Sequence, residues 1–433
     1  MIDIRLLRDD PERVRAAIKA KKAAVDFDRL LELEVRRREV ITQIEELNAR
    51  RRQASKEIGA RVQAGEDPEE AKAAVRRLGE EIAAAESEQR AVIAEFDALI
   101  LTVPNLPHET TPLGTSEADN REIAAWGEKP TFDFEPKPHW ELGEALGILD
   151  LARGSKISGS GYYVLKGAGA RLERALINWF IDIHTREYGY TEILPPFVVN
   201  SKTMTGTGQL PKMAEDMYRV GGMTAEGYVA EDAWLIPTAE VPITNLYQDE
   251  ILEAEALPIR HCGYTPCFRR EAGSYGKEVR GITRVHQFNK VEMVKFVQPE
   301  SSYEELETLR EQAETLLRRL GLTYRVVQLC SADLSFAASK CYDLEVWAPG
   351  MGIWLEVSSC SNFEDFQARR ANIRYRPGPK EKPRFVHTLN GSGLALPRTV
   401  IAILETYQQA DGTVQVPEVL RPFMGCERLG GAS

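Results

Sequence analysis

The strongest constraint on the fold lies in the first hundred residues. Two apolar series there keep the alternating three-and-four spacing of a heptad seam. The first is Leu33, Val40, Ile44, Leu47, Ala54 and Ile58, and the second is Ala71, Val75, Leu78, Ile82, Ala85, Val92, Phe96 and Leu99. That spacing lays apolar side chains along one stripe of an α-helix, whereas a strand would alternate every second residue. Arg37 and Arg51 interrupt the first series and Gln89 the second. Between them, Gly65-Glu66-Asp67-Pro68-Glu69-Glu70 supplies a helix stop and a helix start. Asp67 suits an N-cap, Pro68 the first helical position and Glu70 the reciprocal cap. The two helices are therefore expected to fold back as an antiparallel coiled-coil hairpin. About 33 residues per helix at about 1.5 Å each make an arm of roughly 50 Å. Two helices bury only one seam, so most of this arm faces solvent or a partner.

Residues 1–110 hold 20 Lys+Arg against 23 Asp+Glu, including the runs Arg36-Arg37-Arg38 and Arg50-Arg51-Arg52. A solvated coiled-coil face is one reading of these charges; a phosphate-contacting arm is the other. The whole chain carries a formal net charge of -11, which argues against a protein that coats nucleic acid through bulk charge and leaves room for a local basic surface. Its 433 residues allow two or three domains, and 43% hydrophobic with 28% charged residues is a soluble globular composition. No window approaches the roughly 18 apolar residues of a membrane span, and residues 1–11 lack the apolar run of a signal peptide. A cytoplasmic location without a membrane partner is the expectation. Cys262, Cys267, Cys330, Cys341, Cys360 and Cys426 form no Cys-x-x-Cys pair, so reduced, mostly buried thiols are expected rather than a zinc ribbon or a disulfide framework.

Composition changes near Pro104. Before it the only aromatics are Phe27 and Phe96 and tryptophan is absent; after it all six tryptophans occur. Residues 104–120, with Pro104, Pro107, Pro112, Gly114, Asp119 and Asn120, read as a linker. Beyond them Leu172, Leu176, Trp179, Phe180 and Ile183 have helical spacing, and residues 191–199 read as a strand. Strand-like segments dominate residues 228–366, apart from a helix near 303–320. They lack the regular alternation with helices that marks a parallel sheet. The expected class is α+β, a large antiparallel sheet with helices packed on it.

No Gly-x-x-x-x-Gly-Lys-Ser/Thr loop is present, and neither Gly159-Ser160-Gly161 nor Gly167-Ala168-Gly169 continues into a dinucleotide fingerprint. Phosphate binding must therefore come from side chains. Four strand-like segments carry polar pairs two residues apart: Thr238 with Glu240, Arg269 with Glu271, Lys290 with Glu292, and Glu356 with Ser358. A period of two would place each pair on one face of a sheet. Singly, each fits the polar outer face of an ordinary half-exposed sheet. Together, with Phe288 on the face of Lys290 and Glu292, they describe a polar cleft with an aromatic wall. Arginines that fork around phosphate, carboxylates that hold magnesium and a ring for base stacking are what a nucleoside triphosphate needs.

These residues carry a family resemblance. Phe268-Arg269-Arg270-Glu271, followed by Ala272-Gly273-Ser274-Tyr275-Gly276 and Val285-His286-Gln287-Phe288, resembles motif 2 of class II aminoacyl-tRNA synthetases. Gly391-Ser392-Gly393-Leu394-Ala395-Leu396-Pro397-Arg398 resembles motif 3, and the segment ending at Pro195-Pro196 resembles motif 1, the dimer-forming element. Pro237-Thr238-Ala239-Glu240, Val291-Glu292-Met293 and Glu356-Val357-Ser358-Ser359-Cys360-Ser361-Asn362 are similar to the strings of the bacterial-type seryl-tRNA synthetase family, whose tRNA-binding arm the N-terminal hairpin resembles. The resemblance spans essentially the whole chain. It implies an N-terminal tRNA-binding domain over residues 1–108 with a hairpin at about 28–100. A class II catalytic domain would follow over 109–433, with the motifs near 170–200, 260–297 and 388–405.

The resemblance also implies an activity: ATP-dependent activation of L-serine to seryl-adenylate, then transfer to tRNA(Ser) and also tRNA(Sec), by a homodimer that has no DNA partner. Arg269 would contact the α-phosphate, Glu271 the adenine amino group, and Phe288 would stack on the base with Val285 alongside. Arg398 would reach the γ-phosphate. Arg270, Val357 and Ser358 join this ATP set, and Glu356 and Ser359 would hold Mg2+. Arg269, Glu356 and Arg398 would form the catalytic set. For serine, Thr238, Ala239 and Glu240 would receive the α-amino group, Glu292 and Ser392 the hydroxyl, and Arg269 the carboxylate. On the arm, Arg36, Arg37, Arg50 and Arg51 would bind tRNA. His286 and Cys360 are read as structural, because the reaction needs neither nucleophile nor zinc. Two competing readings are an amino acid:carrier-protein ligase paralogue, which lacks such an arm, and a catalytically inactive coiled-coil interaction protein.

Overall fold

In the computed structural model, residues 1–225, 227–271 and 280–430 are described. The chain forms two compact units, Ile2–Pro104 and Asn105–Ser433.

In the first unit the heptad series fold as helices α1 (Phe27–Ala64) and α2 (Glu69–Ile100). Asp26 caps α1 by accepting the Arg29 N–H, and Gly65, at φ +75, ends it in the left-handed conformation that glycine adopts without strain. Leu33, Val40 and Leu47 of α1 and Ala71, Ile82, Ala85 and Phe96 of α2 are buried along the seam. Ion pairs flank it: Arg29 Nε reaches Glu95 at 2.7 Å, and Arg36 pairs with Glu88 of α2 and with Glu39. Arg37 does not break the seam. It lies 5.0 Å over the Phe96 ring and donates to Glu34, which is 2% exposed and also receives Arg8. At the turn the expected capping shifts by one residue: Pro68, not Asp67, is the N-cap and the helix begins at Glu69, while Asp67 accepts the Glu69 N–H at 2.9 Å from one position further out. Glu70 does not complete the reciprocal cap; its carboxylate lies 3.6 Å from Arg61 instead.

The second unit is built on an eight-stranded sheet. Its strands are β1 (Arg121–Trp126), β2 (Thr191–Glu192), β3 (Ile259–Phe268), β4 (Gln287–Val297), β5 (Tyr324–Gln328), β6 (Lys340–Ala348), β7 (Ile353–Asn362) and β8 (His387–Ala395). They lie in the order β1-β5-β6-β7-β8-β4-β3-β2, antiparallel except where β2 runs parallel to β3. Helices α3 (Ala168–Glu187), α4 (Ser302–Arg319) and α5 (Leu396–Thr406) back this sheet. Leu172, Leu176 and Phe180 of α3, Leu309 and Leu316 of α4, and Ile401 and Leu404 of α5 pack with Val291, Met293 and Leu355 of the strands in one buried core. The opposite face is split. Val294 and Phe296 join Ala239, Ile243 and Val386 in a second, smaller core, and the rest of that face is open.

Two expectations need correction. Residues 191–199 are not one strand: Thr191–Glu192 joins the large sheet and Val198–Val199 pairs with Gly227–Leu235 in another. Pro195 and Pro196 lie between them, where a missing N–H prevents a continuous ladder. Nor are residues 105–120 a free linker. Asn105 is buried and donates to the carbonyls of Ala337 and Phe363 at 2.9 and 2.8 Å, and Thr111 donates to Ser339 O at 3.0 Å. Prolines in this stretch suit a segment whose hydrogen bonds come from elsewhere in the fold rather than from a ladder of its own.

Asn105→Ala orphans those two buried carbonyls and should lower the unfolding free energy of this unit by about 1–3 kcal/mol. Chemical denaturation followed by tryptophan fluorescence reads this unit alone, because residues 1–104 contain no tryptophan; an unchanged midpoint would show that the segment contributes nothing to stability.

Candidate active site

The open part of the sheet face is a cleft of about 530 Å³. Alternation along β4 creates one wall. Val291 and Met293 enter the core, so Phe288, Lys290 and Glu292 line the cleft. On β8, Asn390 and Ser392 face it in the same way.

On β7 the simple period of two fails. Glu345 pairs with Glu356 and Leu344 with Ser358, which leaves Val357 as the extra residue of a bulge. The bulge resets the alternation. Glu356 therefore shares the cleft with Ser359 and Ser361, while Ser358 is buried on the other side and donates to Ser392 O at 2.6 Å. Glu356 and Ser358 do not share a face, and Ser358 is not part of the lining; Val357 is.

Two other pairs reach the cleft by means other than strand spacing. Thr238 lies in a turn and Glu240 opens the short helix Glu240–Thr244; both are buried and line the cleft, whereas Ala239 is core. β3 ends at Phe268, so Arg269 and Glu271 follow the strand rather than belong to it. Both line the cleft, Glu271 at φ +47 with its carboxylate 3.6 Å from Arg284. Arg270 is exposed and lies outside the lining, its N–H donating to Asp216 O. The string Ala272-Gly273-Ser274-Tyr275-Gly276 lies outside the described residues.

Arg269 and Arg398 approach from different elements. Arg269 Nε donates to Pro237 O at 3.3 Å, and its guanidinium lies 5.1 Å from the Phe288 ring centroid. Arg398, in the first turn of α5, donates to Glu356 O at 2.7 Å and to Thr283 O at 3.3 Å, with the Glu356 carboxylate 3.4 Å away. These two arginines share the cleft with Lys290, Arg284, the Phe288 ring and the buried Val285.

The deepest group is Glu292, fully buried. Its carboxylate accepts from Thr238 Oγ1 at 2.9 Å and Asn390 Nδ2 at 2.7 Å and is paired with Lys290. Glu240 lies nearby. Burial, then the charge of Glu292, push its carboxyl from 4.5 up to about 7, against a hydrogen bond from Gln367 and the charges of Lys290 and Arg269. Lys290 and Asn390 had no assigned role from the sequence. Asn390 carries a readable signal, since it lies two residues before Ser392 on one strand.

Among the described residues no group of three or more His, Cys, Asp or Glu is arranged to hold a metal ion. Glu356 and Ser359 nevertheless fit magnesium by donor type, being hard oxygens on one face of the cleft. Behind them, burial and the charge of Glu356 hold the Asp343 carboxyl well above its usual range, an acidic crowding that a cation would relieve. Cys360 is no nucleophile: burial pushes its thiol up to about 12. His286 Nδ1 lies 3.1 Å from Arg269 O, a backbone tie. On the arm, Arg50 and Arg51 are exposed and have no ion pair among the described residues, whereas Arg36 is ion-paired and Arg37 half-buried.

The core fold and the cleft define a class II aminoacyl-tRNA synthetase. Residues 224–407 match the family model of the tRNA synthetase class II core domain (G, H, P, S and T), and residues 1–107 match that of the seryl-tRNA synthetase N-terminal domain. The serine–tRNA ligase of Thermomicrobium roseum is 56% identical over 431 residues, 100% of this chain and 95% of that one. That of Geobacter sulfurreducens is 53% identical over 425 residues, 98% and 99% of the two chains. The crystal structure of seryl-tRNA synthetase from Pyrococcus horikoshii complexed with ATP superposes with a TM-score of 0.93 at 37% identity over 100% of both chains. The chain belongs to the seryl-tRNA synthetase family, ATP-dependent ligases that join serine to tRNA.

The bulge generates a test between adjacent serines. Ser359→Ala should raise the KM for ATP, while Ser358→Ala should leave it within about twofold and instead lower stability by about 1 kcal/mol. Steady-state pyrophosphate exchange and thermal melting distinguish the two; the reverse pattern would mean that Val357 does not reset the strand.

Proposed function

We propose that the cleft binds serine at its Glu292 end and ATP between Arg269, Phe288 and Arg398. The observation that supports this reading best is the clamped carboxylate. An ionised glutamate has about four acceptor sites. Thr238, Asn390 and Lys290 occupy three, which leaves about one for a substrate hydroxyl. Alanine would leave that site unpaired in the interior, a strong basis for rejection. Ser392 lies opposite Glu292 in the strand register and is the second hydroxyl partner. Glu240 and Thr238 receive the α-amino group, and Arg269 draws the carboxylate toward the α-phosphate.

In the first step a serine carboxylate oxygen attacks the α-phosphorus and the bond to the β-phosphate breaks, so that seryl-adenylate forms and pyrophosphate leaves. Negative charge spreads over the α-phosphate oxygens, and fixed cations stabilise it without a protein base. Arg269 supplies that charge; Arg398 takes the γ-phosphate; Phe288 and Val285 hold adenine, with Glu271 at its amino group. Glu356 and Ser359 would hold Mg2+, which neutralises phosphate charge when bound. In the second step a hydroxyl of the terminal adenosine of tRNA attacks the seryl carbonyl and AMP leaves. The partners are tRNA(Ser) and tRNA(Sec), gripped by the arm through backbone shape and phosphates rather than base edges, and the working form is a cytoplasmic homodimer. Arg50 and Arg51 are the arm cations best placed for RNA, since Arg36 and Arg37 are engaged by carboxylates.

Arg269→Ala should lower serine-dependent pyrophosphate exchange by about 10²- to 10³-fold in a folded protein; near-normal exchange would reject the assignment. Deleting residues 33–99 and joining the flanks should preserve pyrophosphate exchange while tRNA charging falls steeply. Equal loss of both activities would reject the arm as a tRNA holder. Neutralising Arg50 and Arg51 should flatten the salt dependence of tRNA binding by about 0.7–0.9 for each phosphate that is no longer neutralised; an unchanged slope would place the RNA-binding surface elsewhere on the hairpin.

A further inference from the structure

Gln367 lies on the short helix Phe366–Ala371, outside every string that suggested a site, and is fully buried. Each polar atom of its carboxamide is engaged. Nε2 donates to Glu240 Oε1 at 2.6 Å and to Thr207 O at 3.2 Å, and Oε1 accepts from Thr388 Oγ1 at 2.7 Å. The orientation is chemically determined. Both Thr207 O and an ionised Glu240 can only accept, so flipping the amide would set an oxygen against two acceptors.

We propose that Gln367 is a positioning residue of the amino-acid pocket. It holds Glu240 in the orientation and ionised state that receive the α-ammonium group of serine, and Thr388 holds Gln367. This rests on the assignment of Glu240 made above. An ammonium substrate needs a carboxylate that accepts; a protonated Glu240 would present a donor instead. The surroundings oppose the charge. Burial is the largest influence, the Glu292 carboxylate adds repulsion, and Lys290 and Arg269 act in favour from β4 and the end of β3. Gln367 is the neutral donor that favours the anion, because its hydrogen bond is stronger to the charged carboxylate than to the protonated carboxyl.

The sign of the pH effect follows. The carboxyl is ionised above its midpoint, which lies at about 7, so kcat/KM for serine should fall as pH drops through that value. Removing a donor to the charged form moves the midpoint up. In the full-length protein, Gln367→Met should shift the acidic limb of the serine kcat/KM profile upward by about one pH unit or more. The KM for serine should rise about tenfold near neutral pH, and the defect should shrink toward the alkaline end. The KM for ATP should change less than about twofold. Serine-dependent pyrophosphate exchange across the pH range provides every one of these readouts.

Thr388→Val removes only the hydroxyl that anchors the amide. It should produce a smaller shift in the same direction, and it carries the comparison if the Gln367→Met protein does not fold. Glu240→Gln separates this proposal from the reading beneath it. If serine KM is unchanged in Glu240→Gln, Glu240 does not receive the ammonium group and that reading falls. If Glu240→Gln loses serine but the acidic limb stays unmoved in both Gln367→Met and Thr388→Val, the positioning role alone is overturned. A loss of equal size at every pH, shared with ATP, likewise overturns it, since that is the signature of general misfolding.

Discussion

Two buried carboxylates in one cleft, Glu292 and Glu240, set the terms for the rest of the catalytic unit. In the proposed function each accepts from serine, and the charge of Glu292 opposes that of Glu240. The fold answers with donors from separate elements: Lys290 from β4, Asn390 from β8, Thr238 from a turn and Gln367 from a short helix. No single segment could supply them. That is why these donors are scattered over residues 238–390. The arrangement works against stability. A carboxyl whose folded midpoint is raised to about 7 from 4.5 binds protons more tightly folded than unfolded, so its contribution to stability is lost as pH rises across that interval. If Glu240 receives the ammonium group as proposed, its working form is the less stable protonation state.

The sheet can hold such a pocket because its two faces are chemically separate. Helices α3, α4 and α5 seal one face with aliphatic side chains, and this frees the central strands to present polar groups on the other. The bulge at Val357 refines that rule. By adding one residue to β7 it turns Ser359 toward the cleft beside Glu356 and sends Ser358 inward to tie β7 to β8. One residue of register decides which of two adjacent serines faces the cleft.

What could be read from the sequence depends on the range of the interactions involved. Heptads are local, and the hairpin and the place of its turn were legible, although the capping roles of Pro68 and Glu70 at that turn were not. Alternation along β4 is also local and put Phe288, Lys290 and Glu292 together. The same reasoning failed at Glu356 and Ser358, because a bulge is a property of two paired strands and has no signature in one. It gave Thr238 and Glu240 a shared cleft for the wrong reason, since they reach it through a turn and a helix start. Gln367 was invisible: a glutamine in a six-residue helix has no periodic mark, and its role exists only through contacts with Thr207, Glu240 and Thr388, each far away in sequence.

The arm shows the opposite limit, where a legible pattern overstates what its residues are free to do. Both arginine runs looked equivalent in the sequence. In the fold, Arg36 and Arg37 belong to the mechanics of the hairpin, one bridging α1 to α2 through Glu88 and the other lying over Phe96 with Glu34 beneath it. A guanidinium already paired in this way would have to leave its carboxylate before meeting a phosphate, so its net gain from RNA is small even where its exposure is high. Arg50 and Arg51 lie farther out than the buried Leu47, in a stretch where Ala54, Ile58 and Val75 are only half-buried; ion pairs resume at the turn, where Arg61 meets Glu57 and Glu70. Between these two sets of ion pairs Arg50 and Arg51 stay exposed, with no ion pair among the described residues. A helix that is ion-paired at its base and again at its turn leaves an unpaired stretch between the two, and the proposed contact with RNA phosphates falls on that stretch.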